Sequence, residues 1–222
     1  MKWTDACNKA ITFSFDDGVV EDVRMVELLN KYGLKATFNI NSGLCGYKNA
    51  SHGSKRLPMD ELVELYEGHE VSIHTKTHPP LTELTLDVLE DEINSDKKAL
   101  EKHFGYKVVG MAYPFGEYND DVVSILKKHG VLYARTVDSS YDFELQTDLL
   151  KYKPTSHILD PKVSDLVYTF LNDKQGGPKV LYLWGHSYEF QNETMWKSLK
   201  ELFKKLSNHS DVFYGTNRDV LI

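Results

Sequence analysis

The chain has 222 residues, 41% of them apolar and 12% aromatic, enough for one large domain with a sizeable core. Its 33 acidic against 26 basic residues leave a formal charge of −7 and form no Lys/Arg stripe, so nucleic acid is not an expected partner. No apolar run approaches the roughly 18 residues of a membrane span, so no membrane partner is expected either.

The start, Met1 to Ala6, lacks a signal-peptide apolar region. The expected location is therefore cytoplasmic, although a trimmed secreted enzyme reads the same way. Cys7 and Cys45 have no CxxC spacing and read as free thiols, with a disulfide left open.

In chain order, a buried strand is predicted over 10–16, then a helix with Val19, Val23, Val26 and Leu29 at helical spacing. A strand at 35–40 leads into a long surface loop, 41–57, rich in Gly, Ser, Asn and Lys. Pro58 opens a helix marked by Leu62, Leu65 and Tyr66. Strand 70–74 precedes a long helix with Leu86, Leu89, Ile93, Leu100 and Phe104. Strand 108–113, a helix with Val122, Ile125, Leu126 and His129, and strand 131–137 follow. Residues 138–160 show no clean period. Val163, Leu166, Val167 and Phe170 mark the next helix, then come strand 179–185, a helix with Met195, Leu199, Leu202, Phe203 and Leu206, and strand 211–214. Gly33, Gly105 and Gly130 fall where helical patterns stop, as left-handed caps do.

Strand and helix alternate about seven times with no linker or repeat, which predicts one α/β domain over 1–222 with a parallel sheet. The polar motifs follow the strands, at the end where β/α barrels build their sites, so closure into a barrel is expected.

Four motifs could carry chemistry. Ser14-Phe15-Asp16-Asp17-Gly18 ends the first strand with two adjacent carboxylates, which repel each other unless a positive charge sits beside them. Asp-Asp-Gly is also ordinary turn chemistry, so the pentapeptide alone leaves turn and cation site open. His74-Thr75-Lys76-Thr77-His78-Pro79 places two histidines four apart on a loop leaving strand 70–74. Thr75 stands where a zincin peptidase needs Glu, so that reading fails. One Asp with two His makes a three-ligand site with an open position, suited to zinc, with cobalt or nickel next. Ala112-Tyr113-Pro114-Phe115-Gly116 turns sharply at the mouth of the sheet and frees backbone N–H groups for an oxyanion, unless it is only a turn. Tyr182-Leu183-Trp184-Gly185-His186 delivers a histidine suited to general acid work.

In this order and spacing, from residue 10 to about 215, these motifs resemble the polysaccharide deacetylase family, also called the NodB-homology domain or carbohydrate esterase family 4. The resemblance implies a distorted (β/α)7 barrel. It implies Asp16 as catalytic base, Asp17, His74 and His78 as metal ligands, the Phe115 N–H at the oxyanion and His186 as general acid. The reaction implied is hydrolysis of an N- or O-acetyl group on a saccharide by water activated at the metal.

The chain departs from the family at two places. Ala112 stands where the family has an Arg paired with the catalytic Asp, and Arg135, ending strand 131–137, is the expected replacement. The family's Asp-aromatic pair that orients the acid histidine is matched by Asp142-Phe143, with Asp138 nearly as well placed. Tyr113, Trp184 and His157 are the candidate substrate contacts, and Glu189 has the same standing as His157. Two rival functions stay open: the same metal site cutting a formamide or cyclic ureide, and a non-catalytic sugar binder, whose only support is Ala112.

Overall fold

The computed structural model describes residues 2–5, 7–47, 53–174 and 176–222. Part of the predicted 41–57 loop, residues 48–52, lies outside them. Among the described residues, eight strands form one parallel sheet: β1 (Lys9–Asp16), β2 (Ala36–Ile40), β3 (Glu70–Ile73), β4 (Gly110–Ala112), β5 (Tyr133–Arg135), β6 (Ser156–His157), β7 (Lys179–Gly185) and β8 (Val212–Tyr214). The order is β5-β4-β3-β2-β1-β7-β6, with β8 on the first half of β1. Between them run α1 (Asp22–Lys31), α2 (Met59–Leu65), α3 (Leu86–Phe104), α4 (Asp120–Lys128), α5 (Val163–Asn172), α6 (Glu193–Leu206) and α7 (Asn217–Leu221). The sheet curls into a half-barrel flanked by helices, in line with the distorted (β/α)7 barrel expected.

The alternation of β1 explains the layering. Ile11, Phe13 and Phe15 join Phe38, Ile73 and Leu183 in the core shared with the helices. Each such side chain contributes about 1.5–3 kcal/mol by leaving water. Thr12, Ser14 and Asp16 point the other way, into the barrel, and are equally buried. There each needs a polar partner. Thr12 donates to Asn217 of α7, while Asn39 Nδ2 donates to both Ser14 Oγ and Asp16 Oδ1. Trp3, Tyr133, Tyr182 and Val220 fill the barrel floor.

The strands fall where periodicity placed them, within two residues at each end, except β6, which lies in the stretch with no clean period. That stretch completes the wall. Tyr152 N donates to Ala134 O, Thr136 N donates to Tyr152 O, and β6 pairs with β7. Gly105 takes the left-handed cap of α3 at φ 74°. Helix α1 starts later than expected: Val19 precedes it in a bridge to Arg56, and Val23 is exposed. No helix among the described residues is long and apolar enough to cross a membrane.

Candidate active site

Every candidate site residue sits at or just beyond the C-terminal end of a strand or on the loop after it. Asp16 ends β1 and is buried. Its Oδ1 accepts from Asn39 at 2.7 Å and its Oδ2 accepts from Arg135 at 2.5 Å. His74 Nε2 and His186 Nε2 lie 3.9 and 3.8 Å from that Oδ2. Burial pushes the Asp16 carboxyl up, but Arg135, His74 and His186 outweigh it and hold the group below the usual carboxylate range.

Arg135 is 1% exposed and lies in register with Ala112 on the neighbouring strand β4. Its guanidinium also donates to Ser14 Oγ and lies 4.3 Å from the centre of the Trp184 ring. A methyl group at 112 leaves the barrel interior beside it open to the long Arg135 side chain. The Arg expected to reach a pocket carboxylate does so from one strand over.

Asp17, His74 and His78 bring one donor atom each within 4.8 Å of one another. His74 Nδ1 lies 2.7 Å from Ala112 O and can only donate to a carbonyl, which leaves Nε2 with its lone pair. Burial holds both imidazoles below their ordinary value, His78 at about 4, so both are neutral near pH 7. One carboxylate and two neutral imidazoles fit zinc or a similar borderline divalent cation.

The backbone around this cluster is strained. Asp17, Thr75, His78 and Phe115 all have positive φ, between 57° and 88°. Each costs an L-residue about 1–2 kcal/mol. The surroundings hold them there. Asn41 Nδ2 donates to His74 O and Thr75 O, and Glu92 accepts from Thr77 N and Oγ1. Asp96 accepts from Ser42 N at 2.8 Å and His74 N at 3.1 Å. Arg56 donates to Asp17 Oδ1 at 2.8 Å.

Sequence reasoning passed over Asn41, Arg56, Glu92 and Asp96. A sign of the last was available: Asp96 falls seven residues after Leu89 and four before Leu100, on the buried stripe of α3. A carboxylate in an apolar stripe has to be satisfied by something.

Phe115 follows β4 and is 60% exposed, with its ring edge-on to His78. Its N–H makes no hydrogen bond among the described residues. His186 follows β7, with Trp184 beside it at 5.8 Å between ring centres. His157 ends β6, edge-on to Trp184.

Three residues expected at the site lie away from the cluster. Asp142 is exposed, and its carboxylate accepts from Phe143 N and Glu144 N, closing its own turn with no contact to His186 among the described residues. Asp138 is also exposed, paired with Lys153. The carboxylate beside His186 is Glu189, whose Oε2 lies 3.4 Å from Nδ1. Tyr113 is a core residue: its hydroxyl donates to Leu150 O at 2.6 Å and its ring stacks on Tyr118, so it offers no surface to a substrate.

A curled parallel sheet carrying an Asp-His-His cluster, a buried carboxylate and a histidine at its strand ends has the architecture of the carbohydrate deacetylases. The chain belongs to the polysaccharide deacetylase family, whose model matches residues 4–134. It is 32% identical over 119 residues to the peptidoglycan-N-acetylglucosamine deacetylase PgdA of Listeria monocytogenes, covering 52% of this chain and 23% of that protein. The chain spans about half or less of the curated relatives it matches. Among solved structures, the Streptococcus pyogenes deacetylase PplD in complex with acetate is 25% identical, with a TM-score of 0.63 over 72% of this chain and 69% of that one. A polysaccharide deacetylase fold from Mycobacterium smegmatis, 20% identical, covers 100% of this chain and 91% of its own with a TM-score of 0.67.

Proposed function

We propose that the protein is a metal-dependent hydrolase that removes the N-acetyl, or O-acetyl, group from a saccharide. One observation carries this reading: the Asp16 carboxylate, paired with Arg135, stands beside the Asp17-His74-His78 cluster with His186 Nε2 3.8 Å away. The PgdA relative is named for removing acetyl from N-acetylglucosamine of peptidoglycan, and the PplD structure holds acetate, which supports the acetyl group as the one removed.

A divalent cation on Asp17, His74 and His78, with zinc the best fit to these donors, supplies Lewis acidity and lowers the pKa of water when bound. Asp16, kept ionised by Arg135, takes a proton from the attacking water. The Phe115 N–H serves as donor to the oxyanion of the tetrahedral intermediate. His186 gives a proton from Nε2 to the leaving nitrogen as the C–N bond breaks, so acetate and a free amine result. Trp184 and His157 form the wall beside His186 where the saccharide ring would lie.

The non-catalytic reading rested on Ala112, and Arg135 at Asp16 removes that support. Acetate release from N-acetylglucosamine oligomers, measured with zinc or cobalt and with chelator, tests the proposal. Asp16→Asn is expected to lower turnover by about 10²-fold or more. Formate from a formamide with no acetate would overturn the substrate class. Saccharide binding without turnover would overturn catalysis.

A further inference from the structure

Behind His186 stands a second trio of polar side chains, His157, His186 and Glu189, with one atom of each within 4.8 Å of the others. Glu189 Oε2 is its centre. It accepts from the His186 backbone N–H at 2.9 Å, lies 3.1 Å from His157 Nε2 and 3.4 Å from His186 Nδ1. That Nδ1 is buried and has no hydrogen-bond partner, so the Glu189 carboxylate at 3.4 Å is the acceptor within reach of a proton placed on it. Leu159 N–H donates to His157 Nδ1, so the proton of the neutral His157 ring sits on Nε2 and points at Glu189. His186 Nε2 faces the other way, toward Asp16. The ring thus has a carboxylate behind one nitrogen and the reaction centre before the other.

We infer that Glu189, held in place by His157, is the positioning residue for His186: it fixes the ring with Nδ1–H toward Oε2 and favours the imidazolium that carries a proton on Nε2. The inference rests on the reading of His186 as general acid and names what replaces the Asp-aromatic pair at that histidine. The groups facing His186 are Asp16 at the end of β1 and Asp17 just after it, His157 from β6, and Glu189 and Tyr188 from its own turn. Burial alone would push its pKa down; Glu189 and Asp16 reverse that and raise it, while the two histidines hold Glu189 well below the usual carboxylate range. A neutral imidazole with its proton on Nδ1 could not protonate the leaving group, so the charge on Glu189 bears directly on the acid step.

The discriminating variant is Glu189→Gln. The amide oxygen still accepts the His186 backbone N–H, so a purely structural role survives while the charge is lost. The His186 ring is titrated by NMR in metal-free protein without substrate, with assignment by His186→Gln. The expected result is a His186 pKa lowered by about 1 unit or more in Glu189→Gln. A smaller drop is expected in His157→Gln, and recovery toward wild type in Glu189→Asp. In the zinc-loaded enzyme, the loss should fall on kcat with KM little changed, and the alkaline limb of the pH profile should move to lower pH. An unchanged His186 titration in Glu189→Gln would overturn the inference. So would a second equivalent of zinc, bound by wild type and lost in Glu189→Gln, since the trio would then be a metal site. A wild type with no acetyl turnover counts against the deacetylase reading alone, because the titration needs neither metal nor substrate.

Discussion

Arg135 at the end of β5 reaches Asp16 at the end of β1 with a 2.5 Å hydrogen bond, while its register partner on β4 is Ala112. The guanidinium and the small residue are thus complementary: the charge has moved one strand along the same level of the barrel. Both charged groups are almost fully buried. Arg135→Met keeps the bulk and strands the carboxylate, which should destabilise the fold by about 3–5 kcal/mol at pH 7. Asp16 has a depressed folded pKa. Its stabilising contribution is therefore present above the unfolded value of about 3.9 and lost as pH falls through the lower folded one. The gap between wild type and Arg135→Met, read from urea midpoints, should narrow on acidification. A gap independent of pH would show that packing, not charge, sets it.

What the sequence made legible here follows from period and from motif. Strand positions and the polar ends of β1, β3, β4 and β7 could be read because alternation and helical spacing each leave a mark within a short window. The pairing of Arg135 with Asp16 could be anticipated because a buried carboxylate lacking its usual partner needs another. Glu189 was harder to choose over Asp142, since the decision depends on where a turn closes. Asp142 turns its Oδ1 to the backbone N–H groups of the next two residues, whereas Glu189 folds back onto His186. Strand β6 escaped notice because two residues show no period, and its pairing partner, β7, lies more than 20 residues further along the chain.

Metal binding should be visible in stability before any assay of turnover. If Asp17, His74 and His78 hold zinc, wild type in zinc at 100 times Kd gains about 2.7 kcal/mol. A thermal-shift titration should show the rise in wild type and lose it in His78→Ala and Asp17→Asn. His78 is held at about 4 when metal-free, so protons should compete for that ligand only as pH nears this value. A zinc-induced shift that disappears already near pH 6.5 would contradict the buried, neutral imidazole.

Asp96 holds the backbone of His74, a proposed metal ligand, from outside the Asp17-His74-His78 cluster. Its two oxygens accept from Ser42 N and His74 N, and both donors are backbone groups that cannot turn round. An amide cannot accept at both ends, so Asp96→Asn sets N–H against N–H at one of them. The expected loss is about 1–3 kcal/mol of stability. Zinc affinity should fall about 10- to 100-fold, the usual effect of removing an outer partner of a ligand. Competition with a chromophoric chelator measures the affinity; unaltered zinc binding would mean the 74–78 loop is held by Asn41 and Glu92 alone.

Asp22 ties the segment after His186 to helix α1, because its carboxyl accepts from Ser187 Oγ at 2.5 Å, Tyr66 Oη at 2.6 Å and Val19 N at 3.1 Å. Burial raises it from 3.8 to about 7 despite those donors. The sign is opposite to that of Asp16. The native state holds the proton more tightly, so this contribution to stability is full below 3.8 and lost as pH rises to about 7. Asp22→Asn does not titrate, and the Ser187 and Tyr66 hydroxyls can rotate to accept from its amide. Urea midpoints of wild type and variant, measured from pH 4 to pH 8, should therefore shift in favour of the variant until about pH 7 and run parallel above it. A shift in the other direction would mean that the three donors outweigh burial and keep Asp22 ionised, making it a fixed anion one turn from the histidine.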